Sequence, residues 1–235
     1  EMFTVVSEHV FPFLRSMGGD GSTYAHHMKD ARFTIPTPAL LAKVVDMIEQ
    51  VPMEDRDTKG DLYEYLLSKL TTAGINGQFR TPRHIIDVMV DLVLEGNEEQ
   101  ALSWTVGDPA CGTGGFLLAA YEYASRDAEH FTPEQKDHLR NGFVSGVELV
   151  DGTARLAAMN MILHGIEAPN IIHDNTLATN LNDIQDKDRF DIILANPPFG
   201  GKERAEVQQN FPIRTGETAF LFLQHFIELL KAGGR

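Results

Sequence analysis

The sequence lacks the residues that would build a disulfide, a metal cluster or a membrane span. Cys111 is its one cysteine among 235 residues, which excludes an intramolecular disulfide and a cysteine-based metal cluster. No apolar run approaches the roughly 20 residues that cross a membrane. The first residues, Glu1 to Phe3, have no basic signal-peptide start. We therefore expect a soluble cytoplasmic protein without a metal site.

Basic residues are also scarce. The chain has 20 Lys and Arg against 34 Asp and Glu, giving a net charge of −14. A protein that binds nucleic acid on its own needs clustered cations to contact phosphates. If DNA is the substrate, a partner subunit or another domain must therefore supply much of the affinity. The alternative is that the acidic charge serves only solubility.

The pattern of apolar residues divides the chain at about residue 77. Residues 1–76 are predicted to be mostly helical, with apolar stripes at helical spacing. Residues 77–235 alternate strands with helices, which predicts a parallel sheet covered by helices on both faces. The predicted strands are 104–106, 142–147, 170–173 and 190–195, and the helices are 82–94, 113–126, 153–164 and 218–230. A charge-rich insertion is expected around residues 126–140.

The last helix is followed by Gly233 and Gly234. This arrangement should feed a further strand, because a doubly wound sheet that ended here would leave an unpaired edge. We therefore expect that the natural protein continues and that its remaining strands are absent from this chain.

A glycine-rich turn follows the first predicted strand. Asp108 and Pro109 end the strand, and residues 110–115 lead into a helix. Glycines there let the backbone approach a ligand closely. The dinucleotide pattern G-x-G-x-x-G and the P-loop lysine are both absent. The turn is similar to the S-adenosylmethionine (SAM)-binding loop of DNA methyltransferases, and a plain strand-to-helix turn is the alternative.

Acidic residues end the next two predicted strands. Glu148 can accept hydrogen bonds from both ribose hydroxyls of an adenosine. Asp174 can accept one from an adenine amino group, with Asn175 and Thr176 at the border of that pocket. The alternatives are a solvated or capping Glu148 and a helix N-cap at Asp174.

The most specific signal is the sequence Asn196-Pro197-Pro198-Phe199 after the fourth predicted strand. The prolines stiffen the turn. The Asn196 side chain and the Pro197 carbonyl can both accept from an exocyclic NH2 group, which orients the nitrogen lone pair toward a methyl donor. The Phe199 ring can stack on a base, worth roughly 1–3 kcal/mol. A rigid turn with a core phenylalanine is the alternative.

A further segment, from Gly77 to Arg83, stands just before a predicted helix. It can close over the cofactor with Phe79, the Thr81 hydroxyl and the amides of the helix N-terminus. The alternative is a simple N-terminal cap.

Together these segments resemble the ordered motifs of the amino-group DNA methyltransferases, in the gamma arrangement where the cofactor segment precedes the catalytic turn. More narrowly, residues 61–67, 78–83 and 220–225 resemble the modification (M) subunit of type I restriction–modification systems. The resemblance covers residues from about 61 to 235. It implies a Rossmann-like α/β fold for SAM-dependent methyl transfer over residues 77–235. It also implies that the methyl group goes to N6 of adenine in DNA.

The resemblance implies roles for individual residues as well. Asn196, Pro197, Pro198 and Phe199 hold a flipped adenine. Arg80 departs from the aromatic or small residue expected there in many members, which leaves its contact open. The cofactor contacts come from Gln78, Phe79, Arg80, Thr81, Pro82, Arg83, Asp108, Ala110, Gly112, Thr113, Gly114, Gly115, Glu148, Leu149, Asp174, Asn175 and Thr176.

The partners that the resemblance implies are double-stranded DNA, a specificity subunit, a restriction subunit and a second M subunit. In that family a separate specificity subunit reads the sequence, which would account for the acidic charge of this chain.

Three other functions remain open. A protein-glutamine methyltransferase uses a similar turn, although that family typically has Tyr where Phe199 stands. A non-catalytic SAM-binding scaffold has no need of an amino-positioning turn, and a nicotinamide oxidoreductase is disfavoured by the missing dinucleotide fingerprint.

Adenine N6 is preferred over cytosine N4 through the resemblance alone, because both bases present an NH2 group. Cys111 is a weak nucleophile candidate, and a small filler in the loop is the simpler role.

Overall fold

A computed structural model describes residues 1–16, 25, 28–50, 62–63, 65–67, 81–96, 100, 102–166 and 168–235. Gln78, Phe79 and Arg80 of the predicted cofactor segment lie outside these ranges, as do the glycines at 18–21. Across the described ranges, no helix combines the length and the apolar character that a membrane span requires.

The N-terminal region is helical in its described parts. Helices α1 (Met2–Val5) and α2 (Phe11–Ser16) are joined by a π-helical turn, Val6–Val10. The ring of Phe33 packs against Phe3 and Phe11, with centroid separations of 5.2 and 5.3 Å. Helix α3 (Pro38–Glu49) begins at Thr37, whose hydroxyl accepts from the amide of Leu40.

A four-stranded parallel sheet, in the order β3-β2-β1-β4, organises the rest of the described chain. Its strands are β1 (Val106–Asp108), β2 (Val144–Glu148), β3 (Asn170–His173) and β4 (Ile192–Ile193). The helices are α4 (Arg83–Leu94), α5 (Gly115–Ala124), α6 (Pro133–Asn141), α7 (Asp151–Leu163), α8 (Ala205–Gln208) and α9 (Thr218–Leu229). Single 3₁₀ turns lie at Ala128–His130, Thr176–Ala178, Leu181–Asp183 and Asp186–Asp188. The predicted α/β class and parallel sheet are confirmed.

Two hydrophobic clusters hold these layers together. The larger packs α4, α5 and α7 against the sheet, with Leu94, Leu117 and Met161 fully buried. Each such side chain contributes roughly 1.5–3 kcal/mol by leaving water. The smaller cluster includes two residues of α9, and its buried members are Leu177, Leu181, Phe211, Leu221 and Phe222.

Two strands differ from their predicted bounds. β1 covers Val106–Asp108 rather than residues 104–106, and β4 covers only Ile192–Ile193 of the predicted 190–195. Just before both strands, the side chain of Asp191 accepts from the Thr105 amide at 2.7 Å and the Thr105 hydroxyl at 3.0 Å. These side-chain bonds tie the two strands together before the backbone ladder begins.

The predicted insertion around residues 126–140 contains helix α6. Its N-terminus has a capping box, in which Thr132 accepts from the Gln135 amide and the Gln135 side chain accepts from the Thr132 amide. The helix buries Leu139 alone among its residues. One buried residue gives almost no apolar periodicity, so the sequence pattern did not predict this helix.

The outer edge of β4 pairs with the residues after α9, whereas the sequence pattern led us to expect an unpaired edge. Phe190 forms a parallel bridge with Leu230, and the Lys231 amide donates to the Phe190 carbonyl. Further along, Arg235 exchanges backbone hydrogen bonds with Asp191 and Ile193, at 3.0 and 2.9 Å. The residues after α9 therefore cover this edge, as the Gly233-Gly234 signal for a returning strand indicates.

Candidate active site

The candidate site lies where the carboxyl ends of the strands meet. The register places Asp108 beside Gly146, and Glu148 beside His173. Beyond β4, the Leu194 amide still donates to the Gly107 carbonyl at 3.1 Å, so the chain runs alongside β1 toward Asn196. The strand order reverses between β1 and β4. Open parallel sheets bind ligands at such a switch point.

The glycine-rich turn after β1 has a conformation that only glycine adopts readily. Gly112 and Gly114 have φ of +56° and +82°, in the left-handed region. A Cβ on Gly114 would approach the Met161 methyl group to 2.6 Å, whereas one on Gly112 would meet no atom within 4 Å. The turn therefore packs tightly against α7 at Gly114 and faces open space at Gly112.

A buried asparagine that sequence reasoning missed supports this turn from below. Asn160, in α7, is fully buried and donates from Nδ2 to the Thr113 carbonyl at 3.1 Å. Such a side chain needs a hydrogen-bond partner once it leaves water. The available signal was one amide residue among the apolar positions of helix 153–164.

Glu148 links the end of β2 to the glycine-rich turn. Its Oε2 accepts from the Gly112 amide at 3.0 Å, and its Oε1 accepts from the Val150 amide at 2.8 Å. The residue is 8 % exposed, so the solvated alternative is wrong. Both carboxylate oxygens therefore bond to the backbone, one in the glycine-rich turn and one just after β2.

Asp108 is buried beneath the turn and is 2 % exposed. Its Oδ1 accepts from the Ala110 amide at 3.0 Å. Burial raises the pKa of Asp108 to about 7, and the charge of Glu148 adds to the rise while the Ala110 amide opposes it. The carboxyl is thus inside the turn, which its bond to Ala110 holds in shape.

Cys111 is a filler in this turn, as the simpler sequence interpretation held. Its side chain is buried and lies beside Gly146, where an added Cβ would come within 2.8 Å of the sulfur. Burial raises the pKa of the thiol well above its usual value, and the carboxyls of Asp108 and Glu148 raise it further. A thiol that stays protonated is a poor nucleophile.

Asp174 follows β3 at the same edge, and its side chain is exposed. Its amide donates to the Glu148 carbonyl at 3.1 Å. The predicted alternative of an N-cap at Asp174 is wrong, because Asn175 caps the 3₁₀ turn by accepting from the Leu177 amide at 3.1 Å. Leu149, 62 % exposed, adds an apolar surface at this edge.

Thr176 bonds to a histidine that sequence reasoning did not single out. The Thr176 hydroxyl lies 2.8 Å from Nε2 of His225, in α9. His225 is 2 % exposed, and burial lowers its pKa to about 4, so the imidazole is neutral at physiological pH. Phe211 packs edge-on against the ring at 6.5 Å. This contact fastens α9 to the loop after β3.

The Asn196 turn stands directly beside the segment that precedes α4. Nδ2 of Asn196 donates to the Thr81 hydroxyl at 2.9 Å. Asn196 and Pro197 are half-buried, whereas Pro198 is exposed and Phe199 is 79 % exposed. The alternative of a core phenylalanine is therefore wrong, and the ring is available to a ligand.

The chain beyond Phe199 folds back and anchors the turn. Lys202 forms an antiparallel bridge with Glu217, and the Glu203 amide donates to the Gly216 carbonyl at 3.0 Å. Phe211, within the enclosed loop, is buried in the smaller cluster. The Asn196 turn is consequently held from both sides, by β4 and by this pairing.

Pro82 and Arg83 lie at the N-terminus of α4. Pro82 is the N-cap residue of the helix. The Arg83 guanidinium forms ion pairs with Asp87, at 2.8 Å, and with Glu122 of α5. The structure thus directs this guanidinium toward two carboxylates, and cofactor contacts from either residue stay predictions.

Comparison with known proteins decides the family. Residues 54–235 match the family described as N-6 DNA Methylase. The chain belongs to this family. That membership fits the geometry at the sheet edge, where a glycine-rich turn after β1 faces an Asn-Pro-Pro-Phe turn after β4.

Several similar proteins are members of restriction systems. The type I restriction enzyme EcoEI methylase subunit of Escherichia coli is 35 % identical over 98 % of this chain and 48 % of its own length. The modification subunit of an inferred type I restriction enzyme from Vibrio vulnificus superposes with a TM-score of 0.80. It is 36 % identical and covers 94 % of this chain and 47 % of its own. The chain therefore spans about half the length of these relatives.

A more distant structure is similar in fold alone. An inferred class I SAM-dependent methyltransferase from Listeria monocytogenes has a TM-score of 0.54 and 18 % identity, covering 78 % of this chain and 54 % of its own. This likeness agrees with the Rossmann-like arrangement of the sheet.

Proposed function

We propose that this chain is the catalytic part of a type I modification subunit that transfers a methyl group from SAM to N6 of adenine in DNA. The observation that carries the proposal is the position of Asn196. Its amide stands at the end of β4, next to the glycine-rich turn after β1, and is held by Thr81 at 2.9 Å. The N-6 DNA methylase family and its restriction-system relatives support this chemistry.

The residues present fit SAM. An adenosine offers two ribose hydroxyls and an amino group as donors, and Glu148 and Asp174 place carboxylate acceptors at the ends of adjacent strands. The exposed side chain of Leu149 gives the purine an apolar surface. The open space at Gly112 lets the methionine portion approach the backbone. When bound, SAM supplies an electrophilic methyl group on its sulfonium.

The protein's own contribution is to position the amino group that is methylated. Because Nδ2 of Asn196 is engaged by Thr81, its Oδ1 is the end of the amide that can accept from the target NH2. The Pro197 carbonyl accepts from the second N–H. These two bonds turn the nitrogen lone pair toward the methyl donor, so catalysis rests on orientation.

The target base must leave the DNA stack to reach this turn, because its amino group is paired inside the duplex. Phe199 is exposed beside Asn196 and can stack on the flipped ring. The charge of −14 leaves phosphate contacts to other parts of the assembly. We propose a specificity subunit as the source of those contacts, with a second modification subunit and a restriction subunit as further partners.

The test is methyl transfer by the assembled enzyme from radiolabelled SAM to duplex DNA, followed by nucleoside analysis. The proposal predicts label in N6-methyladenine. Label in N4-methylcytosine would change the substrate assignment, and transfer only to a protein acceptor would favour a protein-glutamine methyltransferase. SAM binding without transfer to either acceptor would support a scaffold, while hydride transfer with NADH would indicate an oxidoreductase.

A further inference from the structure

The bond between Thr81 and Asn196 joins two distant parts of the chain. The residues are 115 positions apart, and the contact between Thr81 Oγ1 and Asn196 Nδ2 is partly buried. Thr81 precedes α4, whereas Asn196 follows β4. Their meeting brings one residue of the predicted cofactor segment, Thr81, against the predicted catalytic turn.

Both partners have a restricted backbone. Thr81 stands immediately before Pro82, and Asn196 stands immediately before Pro197. A residue before proline is confined to extended conformations. The two side chains therefore project from backbones with little freedom of their own.

Thr81 is also attached to a firmly packed element. Helix α4 buries Ile86, Val90 and Leu94 in the main core. A Cβ placed on Gly115, at the start of α5, would lie 3.1 Å from the end of the Ile86 side chain, which shows how closely the two helices approach. The hydroxyl thus presents Asn196 with a hydrogen-bond partner at a fixed position.

The Asn196 amide needs such a partner. Its oxygen and nitrogen ends have nearly the same shape, but only the oxygen can accept from a target amino group. A rotated amide would place its own NH2 against the NH2 of the base, which loses the hydrogen bond. With Nδ2 tied to Thr81, the oxygen end is left for the base.

We propose that Thr81 is a positioning residue that holds the Asn196 side chain where its amide oxygen can accept from the target amino group. This inference rests on the proposed function and reassigns Thr81 from the cofactor contact that the sequence predicts. Thr81 touches Asn196 and acts on the reaction through it. The rate of methyl transfer, rather than the affinity for SAM, therefore depends on the hydroxyl.

Thr81→Val in the assembled enzyme keeps the shape of the side chain and removes its hydroxyl. We expect the single-turnover rate of methyl transfer to fall about 10- to 100-fold. The Kd for SAM, from calorimetry, and the KM for DNA should stay within about twofold. Thr81→Ser keeps the hydroxyl and should restore the rate to within about threefold of wild type. Thr81→Ala also removes the hydroxyl, and it places no methyl group where the hydroxyl was.

Thr132→Val is the matched control. Its hydroxyl also accepts a hydrogen bond, from the Gln135 amide, but it caps α6 away from the site. This variant should lower the melting temperature and leave the transfer rate unchanged.

Three outcomes would overturn the inference. One is a wild-type rate in both Thr81→Val and Thr81→Ala. Another is a loss of SAM affinity in step with the rate, which would assign the hydroxyl to the cofactor. The third is a Thr81→Ser rate as low as that of Thr81→Val. Absence of transfer by the wild-type assembly would instead refute the proposed function itself.

Discussion

At the scale of single residues, the site separates into side chains that build the pocket and side chains that face outward. Asp108 and Glu148 are buried and bond to the backbone of the glycine-rich turn. Asp174 and Phe199 are exposed at the same edge of the sheet. Substitution of the buried pair would disturb the turn itself, so the exposed pair gives cleaner tests of ligand contact.

Phe199→Ala should weaken base stacking and leave the fold intact. The ring is 79 % exposed, so its removal takes little packing away. A stacking contact of roughly 1–3 kcal/mol corresponds to about a 5- to 150-fold loss in affinity for DNA with a flipped target. Phe199→Tyr keeps the stacking surface and should stay near wild type. Fluorescence of 2-aminopurine at the target position measures base entry, and equal signals from Phe199→Ala and wild type would contradict the stacking role.

Asp174→Ala should weaken SAM binding about 5- to 10-fold, because the variant loses a hydrogen bond to a charged acceptor. The side chain is exposed, so the melting temperature of the free protein should hardly change. Asp183→Ala, an exposed carboxylate in the 3₁₀ turn Leu181–Asp183, is the matched control. Calorimetric titration with SAM measures both, and equal affinities would remove Asp174 from the cofactor site.

At the scale of elements, apolar period and strand–helix alternation were sufficient to predict most of this fold. Strand β3 was predicted to the residue and helix α4 to within one residue, because their ends carry turn signals. Helix α6 was not predicted because it buries one side chain, and the side-chain bonds of Asp191 to Thr105 were not predicted either. Such side-chain bonds between distant segments leave no period in the sequence.

The same limit applies to the site. The meeting of Asp108, Glu148 and Asp174 at one edge could be predicted, because parallel strands bring their carboxyl ends together there. The Thr81–Asn196 and Thr176–His225 bonds could not, since each depends on how two elements pack. The sequence also offered Asp174 as an N-cap, whereas the structure has the cap one residue later, at Asn175.

The burial of His225 makes the stability of the fold sensitive to pH. Burial lowers the pKa of His225 to about 4, below the usual value of about 6.5 for an unfolded chain. Its contribution to stability is therefore complete above pH 6.5 and is lost as pH falls from 6.5 toward 4. The difference amounts to roughly 3 kcal/mol.

His225→Gln should flatten this pH dependence. Denaturant titrations of both proteins between pH 4 and pH 7 measure it. Asp108, whose raised pKa stabilises the fold toward low pH, is common to both and cancels in the difference. His130→Gln, at an exposed position, should follow the wild type. Parallel curves for His225→Gln and wild type would show that His225 gains its proton as easily in the folded chain.

At the scale of the whole molecule, acidity and a DNA-directed site are reconciled by division of labour. The chain carries 34 acidic and 20 basic residues, and its site provides an amino-positioning turn and one exposed ring rather than a basic groove. Under the proposed function, a partner that contacts phosphates would supply the affinity, while this chain would supply the reactive site.

This division predicts weak DNA binding by the chain alone, at best in the non-specific range of about 10⁻⁴ to 10⁻⁶ M. Assembly with a specificity subunit should tighten binding by at least about 10³-fold. Fluorescence anisotropy at fixed salt measures both, with SAM binding as a check that the chain is folded. Nanomolar, site-specific binding by the chain alone would contradict the division.

The central claim is that Asn196 positions the amino group that receives the methyl. The most direct test is single-turnover methyl transfer by the assembled enzyme carrying Asn196→Ala, with SAM affinity measured on the same preparation. Because Asn196 lies after β4 and is only half-buried, the fold should survive the loss of its bond to Thr81. The account predicts loss of transfer with SAM binding retained. Transfer at the wild-type rate by Asn196→Ala would contradict it.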